Sequence, residues 1–341
     1  MQSEFLAIKK GTESVLPEGF LVGHAQDEIH ATGCTVALCK AGAIAGVSVR
    51  GAAPATLETD LLDPRHTVDR INAVILSGGS AFGLEAASGA MSWLAEKNVG
   101  FSFAGACIPI VCGASIFDLS VGSAFRFPGK DMGYAACEAA TSEITTGNVG
   151  AGIGASVGKI LGTEFSMKSG LGCASLETNG LNITALVVVN AVGNIFDRET
   201  NKTIAGVINP LDRVSIIDPY EAFSLMLQAD AETSAIPSNT TISCIMTNGT
   251  LTKSQAGHIA DMVHDAYARS IEPVHTGFDG DTAFVLSSAT YPCSPDLIGI
   301  LATRVMESAI HDALYSASSA YGLISSRDFF DRCTESGKVM S

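Results

Sequence analysis

Apolar residues along the chain fall into two kinds of run. Compact apolar blocks at 34–50, 73–79, 170–178, 181–191, 240–247 and 282–288 predict strands. The block from Ile183 to Asn190 is apolar at nearly every position, which predicts a strand covered on both faces. Longer stretches predict helices over about 82–97, 131–145, 252–270 and 294–318. Residues 34–50 read as two strands joined by a tight turn around Lys40-Ala-Gly42. Blocks 170–178 and 181–191 read as a hairpin turned by Asn179-Gly180. Strand pairs followed by helix pairs, repeated, predict a layered α+β fold with helices outside sheets.

Residues 199–238 differ in character. They hold Pro210, Pro219, Pro237 and several acids, and predict an exposed connector ending in a loop before Asn239. A core strand begins at once, at Thr240. The start of a strand can hold a nucleophile rigidly at the mouth of a sheet, so Asn239–Thr240 is a candidate processing site. The same pair also fits an ordinary turn leading into a strand.

Composition narrows the function classes. The 341 residues are 47% hydrophobic and 16% charged, with one Trp and a formal net charge of −15. That balance repels phosphate backbones and anionic bilayers, so neither nucleic acid nor membrane is an expected partner. Nine cysteines with no C-x-x-C pair disfavour both disulfide frameworks and zinc sites, and fit reduced thiols in a cytoplasm. The opening Met1-Gln-Ser-Glu-Phe5 lacks the layout of a secretion signal, and no apolar stretch suits a bilayer span.

Familiar chemical motifs fail one by one. Gly147–Lys159 is rich in glycine, but Ile153 stands where a phosphate loop needs its first glycine and Ile160 follows the lysine. Gly78-Gly-Ser-Ala-Phe-Gly83 does not match G-x-G-x-x-G. No H-E-x-x-H occurs, and His258 and His264 are badly spaced to share a metal, so none is expected. Asp279-Gly-Asp281 reads either as a turn with exposed acids or loose cation site, or as two carboxylates that position an ammonium or hydroxyl beside Thr240.

Five ordered blocks carry a resemblance. Gly78–Ala87, Gly150–Lys159, Val187–Gly193, Asn239–Asn248 and Pro273–Thr282 together resemble the P1-family peptidases, peptidase family S58. That family includes DmpA-type aminopeptidases, β-peptidyl aminopeptidases and nylon-oligomer hydrolases. The resemblance spans residues 20 to 315 and implies an αββα sandwich of the DmpA/ArgJ type, a single N-terminal-nucleophile domain over 1–341. It further implies self-cleavage into 1–239 and 240–341, and a homo-oligomer, with a tetramer favoured. Thr240 is then the nucleophile, acting without a cofactor on a small peptide or ω-amino-acid amide. Asn190 matches the oxyanion-stabilising asparagine, Lys159 a lysine near the nucleophile, and Asp279 and Asp281 the carboxylates that orient it.

The departure lies in Ser115-Ile-Phe117. The resemblance implies a substrate-pocket glutamate where Ser115 falls and an oxyanion tyrosine where Phe117 falls. Ser115 carries no charge and the Phe117 side chain donates no hydrogen bond, which argues against strict aminopeptidase specificity. An ArgJ-like acyltransferase and an uncleaved, non-catalytic relative are the alternatives.

Overall fold

The computed structural model describes residues 6–229 and 239–335. Its principal sheet has ten strands: β1 (Ile8–Lys10), β2 (Phe20–Asp27), β3 (Thr32–Val49), β4 (Thr56–Leu57), β5 (Arg70–Ser77), β6 (Val111–Ser115), β7 (Leu171–Thr178), β8 (Leu181–Val188), β9 (Ile242–Gly249) and β10 (Thr282–Tyr291). They are hydrogen-bonded in the order β1-β7-β8-β9-β10-β3-β5-β6-β4, with β2 on the other side of β3. The helices are α1 (Ala86–Glu96), α2 (Lys130–Glu138), α3 (Pro219–Ala229), α4 (Lys253–Ser270), α5 (Pro295–Tyr315) and α6 (Ser326–Glu335).

The period-two alternation of side chains sorts this sheet into layers. Ile242, Cys244 and Met246 of β9 and Phe284 and Leu286 of β10 pack against Val74 and Leu76 of β5 in an inner core. On the opposite face, Ile245, Val285 and Val187 meet Ile259 and Val263 of α4 and Val305 and Ile310 of α5. Ala73 and Ile75 of β5 instead face Ala86, Ala90 and Leu94 of α1 and Ala136 of α2. The result is the expected helix–sheet–sheet–helix sandwich.

Its two sheet layers are continuous through one strand. Residues 34–50 are not a hairpin: β3 pairs β2 and β5 along its first half and β10 along Ile44–Val49. The predicted turn is a bulge, between the pairs Leu38↔Ala73 and Ala43↔Ile71. Gly42 takes φ +80 there, a conformation that costs glycine little. The chain therefore kinks instead of reversing.

Other elements follow local signals. Asn179 and Gly180, both at positive φ, turn the β7–β8 hairpin. Thr252 and Gln255 form a capping box that starts α4. The helix expected over 131–145 stops at Glu138, because Thr141 then exchanges backbone hydrogen bonds of 2.9 Å with Val22. The connector is also more ordered than expected. It contains a strand at Lys202–Ala205, a buried Val207 and the whole of α3. Pro219 does not interrupt α3 but occupies its first turn, where a missing N–H costs nothing. The loop expected up to Ser238 lies outside the described residues from 230 onward.

Close packing of α4 on β3 yields a stability test. A Cβ built on Gly46 would lie 2.2 Å from the Gly257 nitrogen of α4. Gly46→Ala is expected to destabilise the protein by about 1–3 kcal/mol, as overpacking does, measured by denaturant unfolding.

Candidate active site around Thr240

Thr240 is buried at the N-terminal end of β9, fixed between two segments. Its N–H donates to the Asn190 carbonyl at 2.9 Å. Asn239 pairs in parallel with Asp279: its N–H donates to the Phe278 carbonyl at 3.2 Å, and its own carbonyl accepts the Gly280 N–H at 3.1 Å. The Thr240 hydroxyl donates to that same Asn239 carbonyl. The bond between Asn239 and Thr240 thus has its oxygen polarised by a backbone donor and a hydroxyl poised beside it. Gly280 is needed here, since a Cβ on it would stand 2.9 Å from Thr240 Oγ1.

The Asp279-Gly-Asp281 triplet leads directly into β10, the parallel neighbour of β9, so both carboxylates lie at the Thr240 end of the sheet. Asp281 Oδ1 accepts the Thr241 N–H at 2.6 Å. Its Oδ2 accepts the His275 N–H at 3.1 Å and lies 2.8 Å from His275 Nδ1. Asp279 Oδ2 accepts the Thr276 N–H at 2.6 Å. Burial raises the Asp279 pKa, and the neighbouring Asp281 charge raises it further, against the opposing pull of Thr276 and Lys159. Both acids are buried, which removes the exposed-turn reading.

Asn190, just beyond β8, is fully buried. Its Oδ1 accepts Lys159 Nζ at 2.7 Å and the Ser156 N–H at 3.2 Å, while Nδ2 donates to the Phe117 carbonyl at 3.0 Å. Burial pulls the Lys159 pKa down to about 7, while the charges of Asp279 and Asp118 resist the fall. An ammonium on Oδ1 withdraws density from the amide and makes Nδ2 a stronger donor. The fold therefore gathers Asn239, Thr240, Asn190, Lys159, Asp279 and Asp281 in one place.

Ser115 and Phe117 enter differently from the expectation. Ser115 is buried at the end of β6, its hydroxyl 3.4 Å from that of Ser77. Phe117 meets the site through its backbone carbonyl, a contact that side-chain chemistry does not foretell. Sequence reasoning also gave no role to Gly280, Asp118 or His275. His275 sits inside a block already singled out, flanked by the aromatic faces of His264 and Tyr267 from α4. His264, weighed only as a metal ligand, is buried with Nε2 on the Ser48 carbonyl. Among the described residues no cluster of His, Cys, Asp and Glu is arranged to hold a metal ion, and no helix is long and apolar enough to cross a membrane.

Comparison with known proteins decides the family. The model of peptidase family S58 matches residues 18–325. The chain belongs to peptidase family S58. It is 40% identical over 268 residues to a protein of Mycobacterium leprae described as an uncharacterized aminopeptidase, covering 76% of this chain and 71% of that one. It is 32% identical to a 6-aminohexanoate-oligomer endohydrolase of an Agromyces species, covering 94% of this chain and 84% of that one. Among solved structures it resembles a Burkholderia β-aminopeptidase, with TM-score 0.64 and 16% identity over 98% of this chain and 97% of that one. It also resembles the L-aminopeptidase D-Ala-esterase/amidase of Ochrobactrum anthropi, with TM-score 0.66 and 16% identity over 97% and 96%. The fold of this S58 chain is thus that of the N-terminal-nucleophile hydrolases, and its chemistry is hydrolysis of amide or peptide bonds.

Two buried lysines supply a direct check. Burial brings Lys168, which donates to the carbonyls of Gly152, Ala155 and Ser169, to about 7 as well. With side-chain-labelled lysine, NMR is expected to show two residues titrating near pH 7, far below the usual ~10.4. One of these titrations should vanish in Lys159→Met and the other in Lys168→Met.

Proposed function

We propose that the chain cleaves itself between Asn239 and Thr240 and then hydrolyses amide bonds with Thr240 as its new N-terminus. The observation that carries this reading is the Asn239 carbonyl, held by the Gly280 N–H with the Thr240 hydroxyl against it. In the first step Thr240 Oγ1 attacks the Asn239 carbonyl carbon. A C–O bond forms, the C–N bond breaks, and the hydroxyl proton ends on the departing nitrogen, which becomes the Thr240 α-amine. Water hydrolyses the resulting ester, leaving the Asn239 carboxylate and a free hydroxyl on Thr240.

That amine is the base the intact chain lacks. An amide nitrogen takes up no proton at neutral pH, whereas an α-amine with a reference pKa near ~8 can accept the hydroxyl proton when substrate arrives. The Asn190 carbonyl, which holds this nitrogen in the intact chain, and the Asp281 and Asp279 carboxylates orient it afterwards. Thr240 Oγ1 then attacks the substrate amide, the oxyanion takes a hydrogen bond from Asn190 Nδ2, and the leaving amine collects the proton. Water releases the acyl group.

Small peptide amides and ω-amino-acid oligomers are the substrates we propose, in keeping with the names of the relatives. With Ser115 tied to Ser77, an endo-type amidase fits better than a strict aminopeptidase. We further propose a cytoplasmic homotetramer. All nine cysteines are free thiols, and exposed apolar side chains such as Phe125 and Leu211 offer surface for association.

Purified wild-type protein is expected to run as two bands on a denaturing gel, with masses matching 1–239 and 240–341, and Thr240→Ala as one inactive band. A single wild-type band with activity retained in Thr240→Ala rules the reading out. Asn190→Ala is expected to lower kcat by about 10²–10³-fold on a 6-aminohexanoyl anilide, the usual effect of losing an oxyanion donor. The pH profile is expected to be bell-shaped. The acid limb reports the α-amine losing its proton, and the alkaline limb reports Lys159 losing its own from about 7 upward.

A further inference from the structure

Two glycine-bearing blocks, Gly78–Gly83 and Gly150–Lys159, have only a partial role in the chemistry so far. Both converge on Asp118, a buried carboxylate just after β6. Its Oδ1 accepts the Gly79 N–H at 2.7 Å and its Oδ2 accepts the Thr32 hydroxyl at 2.8 Å. A Cβ on Gly78 would stand 2.0 Å from Asp118 Oδ2, and one on Gly154 would stand 2.8 Å from the Asp118 Cβ. Side chains at either glycine would expel the carboxylate. The residues just before it are pinned to the same block, with the Ser80 N–H on the Ile116 carbonyl at 2.9 Å and the Ile116 N–H on the Ser77 carbonyl at 2.8 Å.

What this anchorage positions is the next carbonyl along. Phe117 lies between Ile116 and Asp118, so fixing both neighbours fixes its carbonyl, the acceptor for Asn190 Nδ2. We propose that Asp118 is a positioning residue for amide hydrolysis: held by Gly79 and Thr32, it locks the Phe117 carbonyl against Asn190 and faces Lys159 with a negative charge. The proposal rests on the Thr240 and Asn190 reading given above.

Charge sets the pH signature. The cations that face Asp118 are Lys159 and Lys168, and Asp279 acts on Lys159 from another element. Burial pushes the Asp118 pKa up to about 6, against the Gly79 and Thr32 hydrogen bonds and the Lys159 charge. Above that pH its carboxylate favours the ammonium form of Lys159. Removing the charge therefore makes Lys159 release its proton at a lower pH, and the alkaline limb of kcat moves the same way.

The test uses the full-length protein and a 6-aminohexanoyl anilide that the wild type turns over. Asp118→Asn is expected to remain processed, to lose about ten- to a hundredfold in kcat with KM within about twofold, and to show its alkaline limb at lower pH. A lowered unfolding midpoint with kcat and the limb both unchanged, or a limb moved to higher pH, overturns the proposal. If Asp118→Asn does not fold, Thr32→Val removes one anchor and leaves the charge. A fall in its kcat at constant KM supports the proposal, and an unchanged kcat overturns it. Failure of the Thr240 reading looks different, as an unprocessed wild type whose activity Thr240→Ala retains.

Discussion

Asn190 is the joint on which the site depends. Two residues past β8, it offers its main-chain carbonyl to the Thr240 nitrogen and its side-chain amide to Lys159, Ser156 and Phe117. A buried amide has few arrangements that satisfy all its polar atoms, so these contacts constrain one another. The Thr240 nitrogen, the Lys159 side chain and the Phe117 carbonyl are all set by one side chain and its own backbone. The burial of β8 at every position matters for this reason, since close packing on both faces resists any shift that would carry Asn190 away.

The charges around that joint form a closed set. Lys159, Asp279, Asp281 and Asp118 are all buried, and an isolated ion in such a place carries a heavy desolvation cost. Each is answered by backbone N–H groups, by a hydroxyl or by an opposite charge. The remaining desolvation emerges as shifted proton affinities, with Lys159 drawn down and Asp279 and Asp118 drawn up. Lys159, at about 7, and Asp118, at about 6, are thereby brought near neutrality.

Local signals made much of this legible. Asn179-Gly180 turns its hairpin and Thr252 caps its helix because both effects operate within a few residues. Thr240, Asn190, Lys159, Asp279 and Asp281 were readable as side chains in ordered blocks, and the fold brings them together. The failures share one cause, dependence on a distant partner. Lys40-Ala-Gly42 has the composition of a turn, and only the pairing of both halves of β3 with different strands makes it a bulge. Phe117 participates through a carbonyl, which every residue possesses. Asp118 is singled out only by Gly79 and Thr32, partners distant in sequence that close around it.

The strand order has a consequence for what a cut at Asn239 does. Strands β9 and β10 belong to the segment after the cut, yet β9 is laddered to β8 and β10 to β3, both from the segment before it. The later segment is thus an insert with foreign strands along both edges. Breaking the backbone there frees an amine without freeing a fragment. To part, the two pieces would have to tear open two ladders and the inner core together, so the proposed cut would fall where the sheet already makes covalent continuity redundant.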